Sequence, residues 1–207
     1  MSNDDYTVLY SDQHGNFVKA KKGYLFDVAK IKIKGRSNGI ILEDNVDCQN
    51  FSITIGGNFN SILIGEGCRL IGKVAIKGVS QFLTVGKQTT FQSVSLYIGE
   101  NCSVSIGEDC MFSAKIEIRT TDSHSIYDID SGKRLNKPSS VIIGNHVWLG
   151  KEVIISKGVK LGNNIVVGAK SFVNRSCLDE NVILAGAPAK IVKTRVNWTR
   201  ELLPIDD

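Results

Sequence analysis

Aromatic side chains, methionine and histidine are scarce in this chain of 207 residues, which has 7% aromatic residues, two methionines and three histidines. A core with so few large rings has to be filled by small and branched aliphatic side chains. No apolar run approaches the roughly 20 residues that a membrane-spanning helix needs. The start, MSNDDYTVLY, has neither the basic nor the apolar region of a secretory signal. We therefore expect a cytoplasmic protein.

An excess of either charge is also lacking, since 25 Lys and Arg residues stand against 21 Asp and Glu residues, a net charge of +4. There is no basic run like a nucleic-acid arm, no glycine-rich loop of the Walker type and no evident metal-ligand cluster. These absences argue against nucleic-acid binding, P-loop nucleotide binding and a metal site. The mildly basic balance fits an anionic ligand or substrate without requiring one.

The five cysteines are an odd number and form no CxxC pair. Four of them each follow an aliphatic residue by four positions, and these are Cys68, Cys102, Cys110 and Cys177. Val or Ile holds the same position elsewhere in the chain, so we expect the four thiols to be small core side chains. We prefer this interpretation to disulfides, zinc ligands or a nucleophile.

What the sequence has in quantity is a six-residue repeat between residues 141 and 193. An aliphatic residue recurs at Ile143, Leu149, Ile155, Leu161, Val167 and Val173, and after a break at Asp179 the phase resumes at Ala185 and Ile191. Neither a helix, with a period of 3.6, nor an amphipathic strand, with a period of 2, fits this spacing. The repeat predicts an all-β fold, a parallel β-helix of hexapeptide turns.

The rest of the chain is organised around this β-helix. We expect an N-terminal cap at residues 1–35, the β-helix at residues 36–193 and a tail at residues 194–207 with a short helix near Val196–Leu203. Solenoids need atypical ends to cover their open core. A polar stretch at residues 119–140 interrupts the repeat, and so long an interruption is more often functional than decorative.

Three separate pieces of sequence resemble the hexapeptide-repeat acyltransferases, and most of all the bacterial polysaccharide and capsule O-acetyltransferases. They are the N-H-V-W-L-G turn, the D-S-H-S-I-Y-D loop before it and the G-A-P-A-K end of the coil. The resemblance is good over residues 95–193 and loose over residues 39–94. It implies a left-handed parallel β-helix, a homotrimer with active sites between subunits, and acetyl-CoA bound in a cleft between coils. Three hexads would then close one coil.

Acetyl transfer to a hydroxyl needs a base for the alcohol proton and donors for the tetrahedral oxyanion. His124, in the interrupting loop, matches the family's catalytic histidine. We interpret His14 as a surface residue of the cap, and His146 as a solvated corner residue. A hydrogen bond to Asp122 or Asp128 could fix the imidazole tautomer, but ordinary turn formation by either aspartate, or a backbone carbonyl as the orienting group, fits equally well.

Trp148 is unusually large for a coil corner, and the resemblance places it in the catalytic cleft as a wall or oxyanion donor; a core or trimer-interface filler is the alternative. With 18 residues per coil it would stack on Val166, and glycine corners would let backbone amides approach the pantetheine arm of the donor. The residues that we assign to acetyl-CoA are Gly150, Gly168, Ala169, Lys170, Gly186, Pro188, Lys190, Lys193 and Arg195. Among these, the cations would meet phosphates or serve solubility.

The acceptor is less well defined by the sequence. A basic rim around His124 would suit an acidic glycan, and we favour sialic acid residues of a capsular polysaccharide, modified at the inner face of the membrane. The residues that we assign to this substrate are Asp122, Tyr127, Arg119, Lys133 and Arg134. Alternatives are an acetyltransferase for a neutral sugar of the maltose or galactoside type and a non-catalytic glycan-binding scaffold. A β-helix enzyme of the carbonic-anhydrase type ranks last, because it would need three metal-binding histidines.

Overall fold

The computed structural model describes residues 6–205, so residues 1–5 of the predicted cap and residues 206–207 of the predicted tail lie outside it. Within this range there is one 3-10 turn, Val28–Lys30, and the chain forms twenty β-strands. The strands are β1 (Thr7–Ser11), β2 (Phe17–Ala20), β3 (Ile31–Lys34), β4 (Gly39–Leu42), β5 (Asp47–Asn58), β6 (Ser61–Ile64), β7 (Arg69–Val79), β8 (Phe82–Val85), β9 (Thr90–Gly99), β10 (Val104–Ile106), β11 (Met111–Phe112), β12 (Ile116–Arg119), β13 (Val141–Ile143), β14 (Trp148–Leu149), β15 (Ile154–Ile155), β16 (Lys160–Leu161), β17 (Ile165–Val167), β18 (Phe172–Val173), β19 (Val182–Gly186) and β20 (Ala189–Thr194).

These strands wind into a parallel β-solenoid of about seven turns. The first face is the eight-stranded sheet β1-β2-β4-β6-β8-β10-β13-β16. The second face contains β11, β14, β17 and β19, and the third contains β3, β12, β15 and β18. Strands β5, β7 and β9 bend around the corner between these two faces. In β9, for example, Phe91 pairs with β11 and Leu96 pairs with β12.

The length of a coil differs between the two ends of the solenoid. Trp148 pairs with Val166, eighteen residues further on, as three hexads per coil predict. Towards the N-terminus, Val74 pairs with Leu96, twenty-two residues away. The extra residues allow one long strand to bend around a corner where two short strands would otherwise meet at a tight turn. This is why the sequence repeat is irregular before residue 98.

The interior of the solenoid is a column of stacked apolar side chains, as the alternating burial of the strands requires. Phe91 lies at its centre, with ring centroids 6.3 Å from Phe51 and 5.0 Å from Phe112. Cys68 and Cys110 are buried in this column, and burial raises their pKa values to about 12 and about 11. Cys102 is also buried, and all the cysteines are free thiols, so the interpretation as core side chains is confirmed for Cys68, Cys102 and Cys110. Cys177 is only partly buried against the core.

The solenoid begins within the segment predicted as the cap. Strand β1 is antiparallel to β2, but β2 pairs in parallel with β4 through Phe17 and Gly39. Asn16 precedes this strand, and its side-chain oxygen accepts hydrogen bonds from the backbone and side chain of Asn38, which bonds Asn60 in the same way. This asparagine ladder fixes the corner between the third and first faces from the first coil onward.

The C-terminal end departs from the predicted phase. Val167 pairs with Leu184, seventeen residues on, so one residue is missing from this coil. Val182 and Leu184 therefore point inward, and the prediction that Ala185 and Ile191 continue the inward series was wrong. Strand β20 turns back antiparallel on β19, which ends the solenoid and leaves Ile191 exposed.

The helix predicted near Val196–Leu203 is absent, since the part of the tail that the structure describes has no helical residue. Tertiary contacts override the local helical preference here. Trp198 is buried against the solenoid although it lies in the tail. No helix within residues 6–205 is long and apolar enough to cross a membrane.

Candidate active site

The interruption at residues 119–140 is a folded hairpin that leaves the third face after β12. Tyr127 forms an antiparallel bridge with Arg134, and the Leu135 amide donates to the Ile126 carbonyl oxygen at 2.7 Å. At the tip, the Asp128 carboxylate accepts hydrogen bonds from the backbone and hydroxyl of Ser131, which lower its pKa. The hydrogen bonds of Asp128 thus shape the turn, which is the ordinary role that the sequence left open.

His124 lies at the base of this hairpin with an exposed ring. Its backbone oxygen accepts a hydrogen bond from Asn136 Nδ2 at 2.7 Å, and Asn136 Oδ1 accepts one from the Ile126 amide at 2.7 Å. Asn136 therefore joins the two sides of the loop, a role that the sequence did not reveal. The imidazole itself makes no hydrogen bond with any residue from 6 to 205, so the ring remains available to a substrate.

Asp122 is the acidic residue closest in sequence to His124, and its carboxylate is already engaged. It forms an ion pair with Lys157 of a later coil and accepts a hydrogen bond from Asn136 Nδ2 at 2.8 Å. Lys157 first, and then Asn136, lower the pKa of Asp122. Asp122 consequently holds the loop against the solenoid in this structure.

The predicted substrate cation Arg134 also has a partner within the chain. Its guanidinium makes a two-point ion pair with Glu100, with Nη2 3.0 Å from Oε1. Thr121 donates a hydroxyl hydrogen bond to the same carboxylate. Arg134 and Thr121 together lower the pKa of Glu100 to about 2. Both ends of the His124 loop are therefore tied to one residue of the preceding coil.

A cavity of about 560 Å³ lies between this loop and the third face. Loop residues Ser123 and Ser125 line it together with Lys77 and Tyr97 of the solenoid. Beside it, the Arg119 guanidinium lies 4.7 Å from the centre of the Tyr97 ring. Arg119 thus lies beside the cavity and is not one of its lining residues, whereas Lys77 and Tyr97, which no sequence motif had marked, do line it. Tyr127 and Lys133 are exposed on the hairpin.

Trp148 lies on the second face, away from the His124 loop on the corner of the third. Its indole nitrogen is buried and has no hydrogen-bond partner among the described residues. The ring of Trp198 is 6.0 Å away and tilted by 51°. His146 stacks on Trp198, so the expectation that His146 is a solvated corner residue was wrong. Within residues 6–205 no hydrogen bond or ring contact joins Trp148 to His124.

The proposed donor corner is present for two coils. The Gly150 amide donates to Val167, and a Cβ atom added at Gly150 would lie 2.7 Å from the Ala169 nitrogen, so Gly150 stacks on Gly168 and Ala169 as predicted. Gly186 does not continue this stack, because the shortened last coil places Ala185 below Gly168. Pro188 lies in the β19–β20 turn, and the exposed cations near this end are Lys170, Lys190, Lys193 and Arg195.

The described residues contain no group of three or more His, Cys, Asp or Glu side chains that could hold a metal ion.

No protein-family model matches the sequence. A polysialic acid O-acetyltransferase of Neisseria meningitidis is 35% identical over 197 residues, which cover 95% of this chain and 92% of that protein. The chain belongs to the hexapeptide-repeat O-acetyltransferase family. The resemblance of the sequence to this family is thereby confirmed, and the protein is an acetyltransferase.

Further relatives agree with this membership. A polysialic acid O-acetyltransferase of Escherichia coli is 39% identical over 127 residues, which cover 61% of this chain and 40% of that protein. Two crystal structures superpose with a TM-score of 0.80: the polysialic acid O-acetyltransferase OatWY, at 32% identity over 91% of this chain and 90% of that chain, and the polySia-specific acetyltransferase NeuO, at 30% over 90% and 86%. The predicted left-handed β-helix is the fold of this family.

Proposed function

We propose that this acetyltransferase moves the acetyl group of acetyl-CoA to a hydroxyl of sialic acid residues in a capsular polysaccharide. Similarity over nearly the whole chain to a polysialic acid O-acetyltransferase supports this acceptor. The structural observation that supports this acceptor is the positive charge on the third face of the solenoid. We place the reaction in the cytoplasm, at the inner face of the membrane where capsule is made.

The third face presents a row of cations to solvent. Lys32 and Lys34 of β3, Lys73 and Lys77 of β7 and Arg119 of β12 all point outward. From β3 to β12 the row spans about 19 Å, as four strand spacings of about 4.8 Å. The acidic residue among the outward side chains of β3, β7 and β12 is Glu117, and it forms an ion pair with Arg119.

The row of cations ends at the cavity beside the His124 loop, since Lys77 lines that cavity. A sialic acid polymer carries one carboxylate on each residue, so several residues in succession would meet successive lysines. A neutral sugar would gain nothing from this charge. The position of the row therefore favours an acidic polymer over a galactoside or maltose acceptor.

His124 supplies the base in this proposal. Its neutral imidazole removes the proton of the acceptor hydroxyl as the oxygen attacks the thioester carbonyl. The carbon–sulfur bond then breaks, and the imidazolium returns the proton to the departing CoA sulfur. The developing oxyanion needs a hydrogen-bond donor, and the unpartnered indole N–H of Trp148 is our candidate.

The separation of His124 and Trp148 supports a site built from two subunits. One residue is on the loop at the corner of the third face, and the other is on the second face. A homotrimer would bring the loop of one subunit against the second face of its neighbour. The donor corner of Gly150, Gly168 and Ala169 follows directly after β14 and β17, so the pantetheine arm would lie next to Trp148 in that arrangement.

The direct test measures thiol release from acetyl-CoA with oligosialic acid, maltose and a galactoside as acceptors. We expect rapid release with oligosialic acid and an acetyl ester on the recovered glycan. Equal or faster release with the neutral sugars would overturn the acidic acceptor. Tight glycan binding by calorimetry, without acetyl-CoA binding, would instead support the scaffold alternative.

A further inference from the structure

The C-terminal tail crosses the solenoid as an ordered strap, which we define as residues 195–200. The Val196 amide donates to the Asn181 carbonyl in the last coil. At the other end, Arg200 donates to Asp109 and to the backbone oxygens of Gln88 and Cys110, which belong to earlier coils. The strap thus runs back over several coils along the corner between the first and second faces. Trp198, at its centre, is only 7% exposed.

Trp198 and His146 hold each other by reciprocal contacts. The Trp198 indole nitrogen donates to the His146 backbone oxygen at 2.9 Å, and His146 Nε2 lies 3.0 Å from the Trp198 backbone oxygen. The two rings are stacked, 4.1 Å apart and within 8° of parallel. The second ring nitrogen, Nδ1, is 2.7 Å from an Asp109 carboxylate oxygen. Each edge of the imidazole is therefore fixed, and with it the Trp198 ring.

This fixed ring is the aromatic neighbour of Trp148. The centroids are 6.0 Å apart at a tilt of 51°, the inclined arrangement that aromatic pairs favour. His146 precedes Trp148 by two residues in the same hexad. Met111 is the strand partner of Trp148 in the preceding coil, and Asp109 precedes Met111 by two residues. The support of Trp148 therefore comes both from its own coil and from the strap.

The Trp148 indole has no hydrogen bond of its own to set its orientation. Its nitrogen is buried without a partner among residues 6–205. Buried donors in folded proteins are almost always paired. Within the described residues, the orientation of the ring therefore depends on packing, and an acceptor that reached this N–H would satisfy it.

We propose that Trp198 is a positioning residue that orients the Trp148 indole so that its N–H reaches the thioester carbonyl oxygen. The inference rests on the proposed function, because it assigns Trp148 to the oxyanion. Trp198 does not touch the reacting atoms; it acts through Trp148. His146 and Asp109 complete the support by fixing the Trp198 ring.

A double-mutant cycle tests this action through Trp148. The variants are Trp198→Ala, Trp148→Phe and the pair together, with Trp198→Phe as the conservative variant and Leu202→Ala, a fully exposed tail residue, as the control. We expect Trp198→Ala to lower kcat about tenfold with little change in KM for acetyl-CoA. Trp198→Phe should restore most of the loss, and Leu202→Ala should match the wild type.

In the Trp148→Phe background, Trp198→Ala should have no further effect on kcat, because the residue through which it acts is already lost. A tenfold loss in both backgrounds would overturn the proposal in favour of a general structural role. The chain has only two tryptophans, so a coupled near-ultraviolet circular dichroism signal reports their contact independently of activity. Absence of that signal from the wild type would also overturn it.

The two proposals fail in different ways. If oligosialic acid is not acetylated, the acceptor is wrong, and the cycle is run with the acceptor that the wild type does use or with water as the acyl acceptor. If transfer to oligosialic acid is efficient but the cycle is additive, the proposed function stands and the positioning role of Trp198 is refuted.

Discussion

Arg134 and Glu100 form a two-point ion pair that fastens the hairpin of the His124 loop to the preceding coil, with Nη2 of the arginine 3.0 Å from Oε1 of the glutamate. Thr121, at the beginning of the loop, donates to the same carboxylate. His124 lies between these two attachment points in the chain. The position of the proposed base is therefore set from outside the loop by Glu100. This residue lies at a corner of the solenoid, directly after β9, and has a left-handed φ of 55°.

Replacement of Glu100 by Ala should loosen the loop without unfolding the solenoid, because the ion pair lies at the surface of a well-packed column. We expect faster tryptic cleavage at Lys133 and Arg134 and a lower kcat, with the unfolding temperature changed by only a few degrees. Glu108→Ala, which breaks a more exposed pair with Lys87, is the matched control. Unchanged cleavage and activity in Glu100→Ala would show that the pair does not hold the loop.

The same pair predicts how the loop responds to acid. The pKa of Glu100 falls from an ordinary value of 4.5 to about 2 in the folded protein, so its stabilisation is complete above about 4.5 and is lost as pH falls towards about 2. The lowered pKa of Asp122, caused by Lys157 and Asn136, acts in the same direction. The protection factors of the loop amides, which correct for the slower intrinsic exchange at low pH, should therefore fall as the pH is lowered from 4.5 to 2.5. Glu100→Gln should have low protection factors already at pH 5 and a smaller decrease on acidification.

Replacement of His124 by Ala should lower kcat by about a hundredfold or more, which is the usual cost of losing a general base. The ring is exposed and makes no hydrogen bond with the described residues, so the unfolding temperature should not change. His14→Ala, an exposed histidine near the N-terminus, serves as the control. Turnover within a factor of two of the wild type would exclude His124 as the base.

Loss of cations from the third face should weaken binding of a long acidic acceptor. For Lys34→Ala and Lys77→Ala combined, we expect KM for long oligosialic acid to rise about tenfold at low salt and the difference to shrink at high salt, as screening predicts. Lys160→Ala removes an exposed lysine from the first face and should leave KM unchanged. An equal effect per charge removed would mean that net charge, and not this face, attracts the acceptor.

Glycine at the corner between the third and first faces should be essential for folding. Gly57 has a φ of 125°, and a Cβ atom there would lie 1.8 Å from the backbone oxygen of Gly78 in the next coil. Gly57→Ala should cost at least about 3 kcal/mol of unfolding free energy, or prevent folding. Gly132 also has a positive φ, but open space surrounds it, so Gly132→Ala should cost about 1–2 kcal/mol. Urea titration of both variants compares them directly.

Local periodicity was sufficient for much of the fold. The burial of Cys68 and Cys110 follows from counting positions in a repeat, and the pairing of Trp148 with Val166 follows once the family resemblance supplies three hexads per coil. Such counting works because every coil repeats the same inward and outward alternation. It failed at Ile191, because a single missing residue in the last coil moves all later side chains by one position.

The sequence by itself determined the class of fold, the membership of an acetyltransferase family and the loop that carries His124, since each is written in a contiguous stretch. Only the tertiary structure decided which of the distant side chains meet. It pairs Arg134 with Glu100 and Asp122 with Lys157, and it brings Trp198 onto His146. These contacts join residues of different coils, whose approach depends on coil length, register and the course of the tail, and no local pattern in the sequence encodes them.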